Sequence, residues 1–207
     1  MLTHRQRMEN CLSGNANDRP PVALWRHFPV DDQDPGLLAK ATLHYQTTYD
    51  FDLVKVTPAS SFCLRDWGVE DEWRGAGEGT RQYTRRVVHS ADSWQKLALL
   101  DPEQGALGRQ LTCLKLLQKE LEPTTPLVQT IFSPLSQAKN LVGGDQLLVH
   151  LRRYPEEVHA GLKIITENTR RFVEALTQLG ISGIFYAVQH AQYGLLSEPE
   201  YLSFGRF

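Results

Sequence analysis

The sequence predicts an α/β fold in which helices cross between the strands of a parallel sheet, arranged as a barrel or a doubly wound sheet. Three observations carry this. Short apolar runs with strand character alternate with helical segments along the whole chain, the order that parallel strands and their crossovers require. The proline-led run Asp18-Arg19-Pro20-Pro21-Val22-Ala23-Leu24-Trp25 delivers Arg26 and His27 at its C-terminal end, which is where barrel enzymes keep their chemistry. No Gly-x-Gly-x-x-Gly or Gly-x-x-x-x-Gly-Lys-Ser/Thr loop is present, so the usual mark of a dinucleotide or nucleotide binder is missing.

Each element follows from local chemistry. Thr3 to Leu12 reads as a polar opening helix stopped at Ser13-Gly14-Asn15. Two consecutive prolines cannot sit inside a helix, so the chain then enters extended, and Val22 to Trp25 reads as a short buried strand. After the acidic loop Asp31 to Gly36, a helix over Leu37 to Tyr49 feeds a strand over Phe51 to Thr57 that Pro58 stops. Alternation along that strand turns Val54 and Val56 toward the covering helices, and Lys55 and Thr57 toward the opposite face. Ser60 to His89 breaks the pattern, and the alternating residues Arg81 to Val88 predict a hairpin on the rim. A short helix over Trp94 to Leu100 precedes a longer one over Gly105 to Leu121, with apolar Leu107, Leu111, Leu114 and Leu117. Leu127 to Phe132 is a strand. Helices follow over Leu135 to Leu141, Asp145 to Arg153 and Pro155 to Leu179, the last ended by Gly180. Gly183 to Val188 is the final strand, and Ser197-Glu198-Pro199-Glu200 has the cap chemistry of one more helix, inside which the chain reaches Phe207.

Composition bounds the function. A hydrophobic share of 41% and a charged share of 22% over 207 residues describe a globular domain that needs no disulfide or metal to fold. A net charge of -2 offers no general attraction for phosphate backbones or anionic lipid, so neither nucleic acid nor a membrane is expected as a partner. Cys11, Cys63 and Cys113 are too few and too far apart for a disulfide framework and suit a reducing cytoplasm. A homodimer is compatible with the sequence.

Five stretches resemble the uroporphyrinogen decarboxylase superfamily: Ser13 to Arg26, Asp52 to Pro58, Ile131 to Leu135, Gly183 to Ala191 and Tyr201 to Arg206. Asp18-Arg19-Pro20-Pro21-Val22 with its following arginine is the most specific, and the pair His190-Ala191 supports it. The resemblance implies a TIM barrel over residues 1–207. A full barrel has eight strand-helix units and roughly 250 residues, so this chain reads as the N-terminal part of a longer protein. It also implies an enzyme of porphyrin and heme biosynthesis, a carboxy-lyase on a carboxylated, tetrapyrrole-like small molecule, with no cofactor. Relatives in the superfamily move methyl groups between cobamides and thiols. That alternative brings zinc or a corrinoid, and a third is a barrel that binds an anion or a corrinoid protein without catalysis.

Carried over residue by residue, Arg26 matches the first of two family arginines that hold substrate carboxylates, and its fork suits bidentate recognition. His27-Phe28-Pro29-Val30 replaces the second. Lys55 and Thr57 stand where the family has an aspartate, and these departures lean toward the methyltransferase alternative. Asn140 and Gln189 fall near the family's tyrosine and serine, and both remain able to orient a carboxylate. His190 and Lys55 are the candidate catalytic residues. Either has a plainer reading, His190 as a structural hydrogen-bonder and Lys55 as the partner of a neighbouring carboxylate. Asp66, beside Arg65, is either half of a surface pair or a replacement carboxylate for the site. The expectation is a mouth where Arg26, His27, Lys55 and His190 converge on an anionic ligand, with no metal site before Phe207.

Overall fold

A computed structural model of the protein describes residues 1–206; the expectation for the chain at Phe207 lies outside the described residues. Helix α1 (His4–Leu12) starts at a capping box in which Thr3 Oγ1 accepts from Gln6 N while Gln6 Oε1 accepts from Thr3 N. Helix α2 (Pro35–Tyr49) starts where Asp34 Oδ1 accepts from the N–H groups of Gly36 and Leu37. Strand β1 (Val54–Val56) follows and is buried throughout.

The rim hairpin pairs β2 (Glu70–Glu72) with β3 (Gln82–Arg85) in antiparallel register. The helix expected over Trp94 to Leu100 is a 3₁₀ segment over Ala91–Lys96, opened by Ser90. Next come α3 (Gly105–Glu120), β4 (Leu127–Phe132), α4 (Pro134–Val142), α5 (Gly144–Arg153), α6 (Pro155–Leu179), β5 (Gly183–Ala187) and α7 (Glu198–Phe204). Gly180 closes α6 at φ 76°, a left-handed turn that a side chain would strain.

Strands β1, β4 and β5 form one parallel sheet in that order, with Val54 opposite Leu127 and Val128 opposite Gly183. Helix α3 carries the first crossover, and α4 to α6 carry the second. This is a partial TIM-barrel-type α/β fold, with three parallel strands among the described residues where a closed barrel has eight. One core packs Val54 and Val56 against Leu38 of α2, Leu111, Leu114 and Leu117 of α3, and Phe172 of α6. Period-two alternation therefore leaves Lys55 on the barrel's inner face. A second core gathers α4, α5, the first half of α6 and the rim around Trp94, whose Nε1 donates to His150 Nδ1 at 2.9 Å. No helix among the described residues is long and apolar enough to cross a membrane.

The run Val22 to Trp25 corrects one expectation, because it is extended but joins no sheet. Val22, Leu24 and Trp25 are 49%, 60% and 45% exposed. Pro20 and Pro21 have no N–H to donate, and among the described residues a single backbone bond, Asp52 N to Val22 O at 2.8 Å, ties the run to the approach of β1. What holds it is a side chain. The fully buried Asp52 carboxylate accepts from Val22 N at 2.8 Å, Arg7 Nη1 at 2.5 Å and Arg19 Nη1 at 2.5 Å.

Candidate functional site

Lys55 leaves β1 on the inner face and meets two aromatic rings. Its Nζ lies 4.7 Å from the Trp25 centroid and 4.4 Å from that of Phe185 on β5, and the two rings are 5.3 Å apart. Nζ also donates to Thr57 Oγ1 at 3.4 Å. The residue is 8% exposed, and among the described residues no carboxylate acts on it. Burial alone therefore pulls the amine down to about 8. The paired-carboxylate reading is thereby corrected: the partners are π faces, which attract a cation without neutralising it.

His27 belongs to the same group. Burial lowers its imidazole, and the charge on Lys55 lowers it further, against a smaller opposing effect of Glu78. Gly79, at φ 79°, presses its backbone on His27, where a Cβ would come within 2.6 Å of the histidine's Cβ. Trp25, His27, Thr57 and Phe185 thus gather around an amine that no carboxylate of the described residues neutralises.

A second group sits at the ends of β4 and β5. Lys139 Nζ on α4 donates to Gln189 Oε1 at 2.8 Å, and Gln189 N donates to Ser136 Oγ at 2.9 Å. Arg86, leaving the hairpin, donates through Nη1 to the backbone oxygen of Asn140 at 2.5 Å and stacks on Tyr83 at 4.8 Å. Asn140 is buried and contributes its carbonyl to this bond. His190 adopts a left-handed backbone at φ 63°, uncommon without glycine. Burial lowers His190 and then Lys139 does; burial lowers Lys139 and then Arg86 does.

The expected convergence of four cations is therefore divided. His27 feels the charge of Lys55, His190 lies with Lys139 and Arg86, and the Arg26 guanidinium bonds to no side chain of either group among the described residues. The exposed Arg26 guanidinium folds onto Phe28 at 5.6 Å, and its Nε donates to His27 O at 3.3 Å. Asp66 is spent elsewhere: Ala106 N donates to its oxygens at 3.0 and 2.9 Å, so it caps α3, whose own cap residue Gln104 makes no side-chain bond. That corrects the Arg65 pair, since the Arg65 guanidinium meets Asp71 instead, and it gives the Asp66 carboxylate a structural task at the start of α3. Sequence reasoning missed Trp25, Phe185, Arg86 and Lys139. Phe185 was legible as the inward residue of the last strand, whereas Arg86 and Lys139 carry no signal beyond their charge.

The fit of a zinc ion is poor. Among the described residues no three His, Cys, Asp or Glu side chains are grouped to hold a metal, and burial pushes the Cys63 and Cys113 thiols up to about 12.

No curated protein matches the chain. A methyltransferase from Methanosarcina mazei shares its fold, with a TM-score of 0.79 at 19% sequence identity over 99% of this chain. The chain spans 64% of that protein's length. The sequence profile of the uroporphyrinogen decarboxylase (URO-D) family matches residues 3–205. With nearly every residue inside that match, and with the strand order β1-β4-β5 built as the fold requires, the chain belongs to the uroporphyrinogen decarboxylase family.

Proposed function

We propose that this protein is an enzyme acting on a carboxylated small molecule held at the C-terminal ends of its strands, with Lys55 as the residue that meets the reacting carboxylate. The observation behind this is a buried amine between Trp25 and Phe185 that no carboxylate of the described residues neutralises. Such a group is stabilised by an incoming anion, and an amine poised near 8 gives up a proton readily at neutral pH. In a decarboxylation, loss of carbon dioxide leaves an electron pair on the substrate that a proton must quench. Lys55 is the donor in this reading, Thr57 holds its Nζ in place, and His27 returns the proton from solvent. The family's carboxy-lyase activity on a tetrapyrrole-like substrate is the finer form of the proposal, together with a cytoplasmic location.

Methyl transfer is the second reading, favoured by the loss of the family's second arginine and aspartate around Arg26 and Lys55. The Methanosarcina mazei protein that shares the fold is itself a methyltransferase. Methyl transfer to a thiol would call for a zinc-bound thiolate, and the described residues do not fit that ion. The deciding experiment incubates the protein anaerobically with uroporphyrinogen and separates the products by carboxylate number. Fewer carboxylates, with the activity lost in Lys55→Met, bears out the first reading. Zinc-dependent alkylation of a thiol without decarboxylation replaces it with the second. Saturable binding without either reaction leaves a non-catalytic barrel.

A further inference from the structure

We propose that Arg86, Lys139 and His190 form a separate binding site for a phosphate-sized dianion at the Gly143-Gly144 step. Three groups that bear or accept positive charge converge there from three elements: the end of the hairpin, α4 and the turn after β5. A Cβ built on Gly143 would lie 3.7 Å from Arg86 Nε, and one built on Gly144 would lie 3.9 Å from His190 Nε2. The guanidinium edge and the imidazole edge therefore flank one dipeptide. Lys139 Nζ donates to Gln189 Oε1 at 2.8 Å, beside His190 in the chain, and Arg86 Nη1 reaches the Lys139 carbonyl oxygen at 3.5 Å, which closes the triangle.

The charge balance calls for a ligand. Like charges held close together repel, and an opposite charge among them relieves that repulsion. Arg86 and Lys139 spend their hydrogen bonds on neutral oxygens, those of Asn140, Lys139 and Gln189, and enter no ion pair among the described residues. Asp145, the acid in the first turn of α5, is exposed and enters none either. Two permanent charges match a dianion, and His190 adds a third donor. Among the described residues Arg86 Nε and Nη2 donate to no acceptor, and Nε is the guanidinium atom beside Gly143; such a fork suits tetrahedral oxyanions. His190, a candidate catalytic residue from the sequence, is an anion ligand in this site, and Lys55, His27 and Thr57 take no part in it.

The test titrates the protein with inorganic phosphate at pH 7 and constant ionic strength, following heat and the His190 imidazole signals by NMR. Saturable binding that raises the His190 pKa is expected, with affinity falling about tenfold or more in Lys139→Gln and in Arg86→Gln. Lys139→Gln is the safer variant, because Arg86 also ties the hairpin to α4. Lys96→Gln, on an exposed turn, leaves binding unchanged. Three results overturn the proposal: no saturation, equal affinity in both site variants, or acetate binding as tightly as phosphate.

Discussion

Replacing Asp52 with asparagine removes the charge that fastens the entry run to the sheet. The Asp52 side chain is fully buried, and it takes Arg7 at 2.5 Å, Arg19 at 2.5 Å, Val22 N at 2.8 Å and His4 Nδ1 at 3.0 Å. Breaking a buried ion pair from one side costs about 3–5 kcal/mol, because the partner's charge stays behind. Arg7 keeps Asp18 at 2.8 Å, and the 43% exposure of the Arg19 side chain lets water screen it, so the lower end of about 3 kcal/mol applies. In urea unfolding at pH 7, read by tryptophan fluorescence, that loss lowers the midpoint by roughly 1–3 M. The pH dependence gives a second handle. Burial raises the Asp52 pKa, but the bonds from Arg19, His4, Val22 and Arg7 outweigh it and hold the carboxyl below its ordinary 3.8. The stabilisation is therefore complete above 3.8 and is lost as pH falls further, so the two proteins converge in acid. Hydrogen bonds from Arg7, then its charge, also hold Asp18 low, and that contribution stays in both proteins. A loss under about 1 kcal/mol, the value of an exposed pair, or a difference that persists into acid, refutes the assignment of Asp52 as the anchor.

Three further outcomes are expected. Carboxylate binding weakens as pH rises through about 8, where Lys55 loses its charge, and Lys55→Met abolishes that dependence in a fluorescence titration of Trp25. Asp66→Ala lowers stability by about 0.5–2 kcal/mol through the lost cap of α3 and leaves carboxylate affinity unchanged, which a thermal melt and the same titration measure together. Gly161→Ala destabilises by about 1–3 kcal/mol in urea, since the new methyl would come within 2.6 Å of Trp94 Cε3, in spite of the better helix propensity of alanine.

Most of the fold is legible in the sequence because its signals are local. Pro155 opening α6 and Gly180 closing it each mark a boundary through one residue's own chemistry, whereas α2 begins at Pro35 under the Asp34 cap, two residues before the expected Leu37. The leucines of α3 and the alternation of β1 then say which face is buried. The Val22 to Trp25 run misleads for the same reason. Its composition is that of a strand, but strand identity is a property of the pair, and this run finds one bond to Asp52 where a ladder needs several. The site is read less well, because its geometry depends on residues far apart in the chain. Lys55 was legible from its position on an inward face, whereas Trp25 and Phe185 meet it only once 160 residues have folded (185 − 25). Asp66 is the converse case, a charged residue in a loop whose task is fixed by the start of α3 forty residues later.

The most direct test of the account places a ¹³C label on the lysine amines by reductive methylation, assigns Lys55 with Lys55→Arg, and adds uroporphyrin as a stable carboxylated ligand. The account predicts a Lys55 signal that titrates near 8 in the free protein, shifts saturably with ligand, and titrates well above 8 when the carboxylate is bound. A Lys55 signal that titrates at the ordinary lysine value of 10.5, or that ignores the ligand, contradicts it.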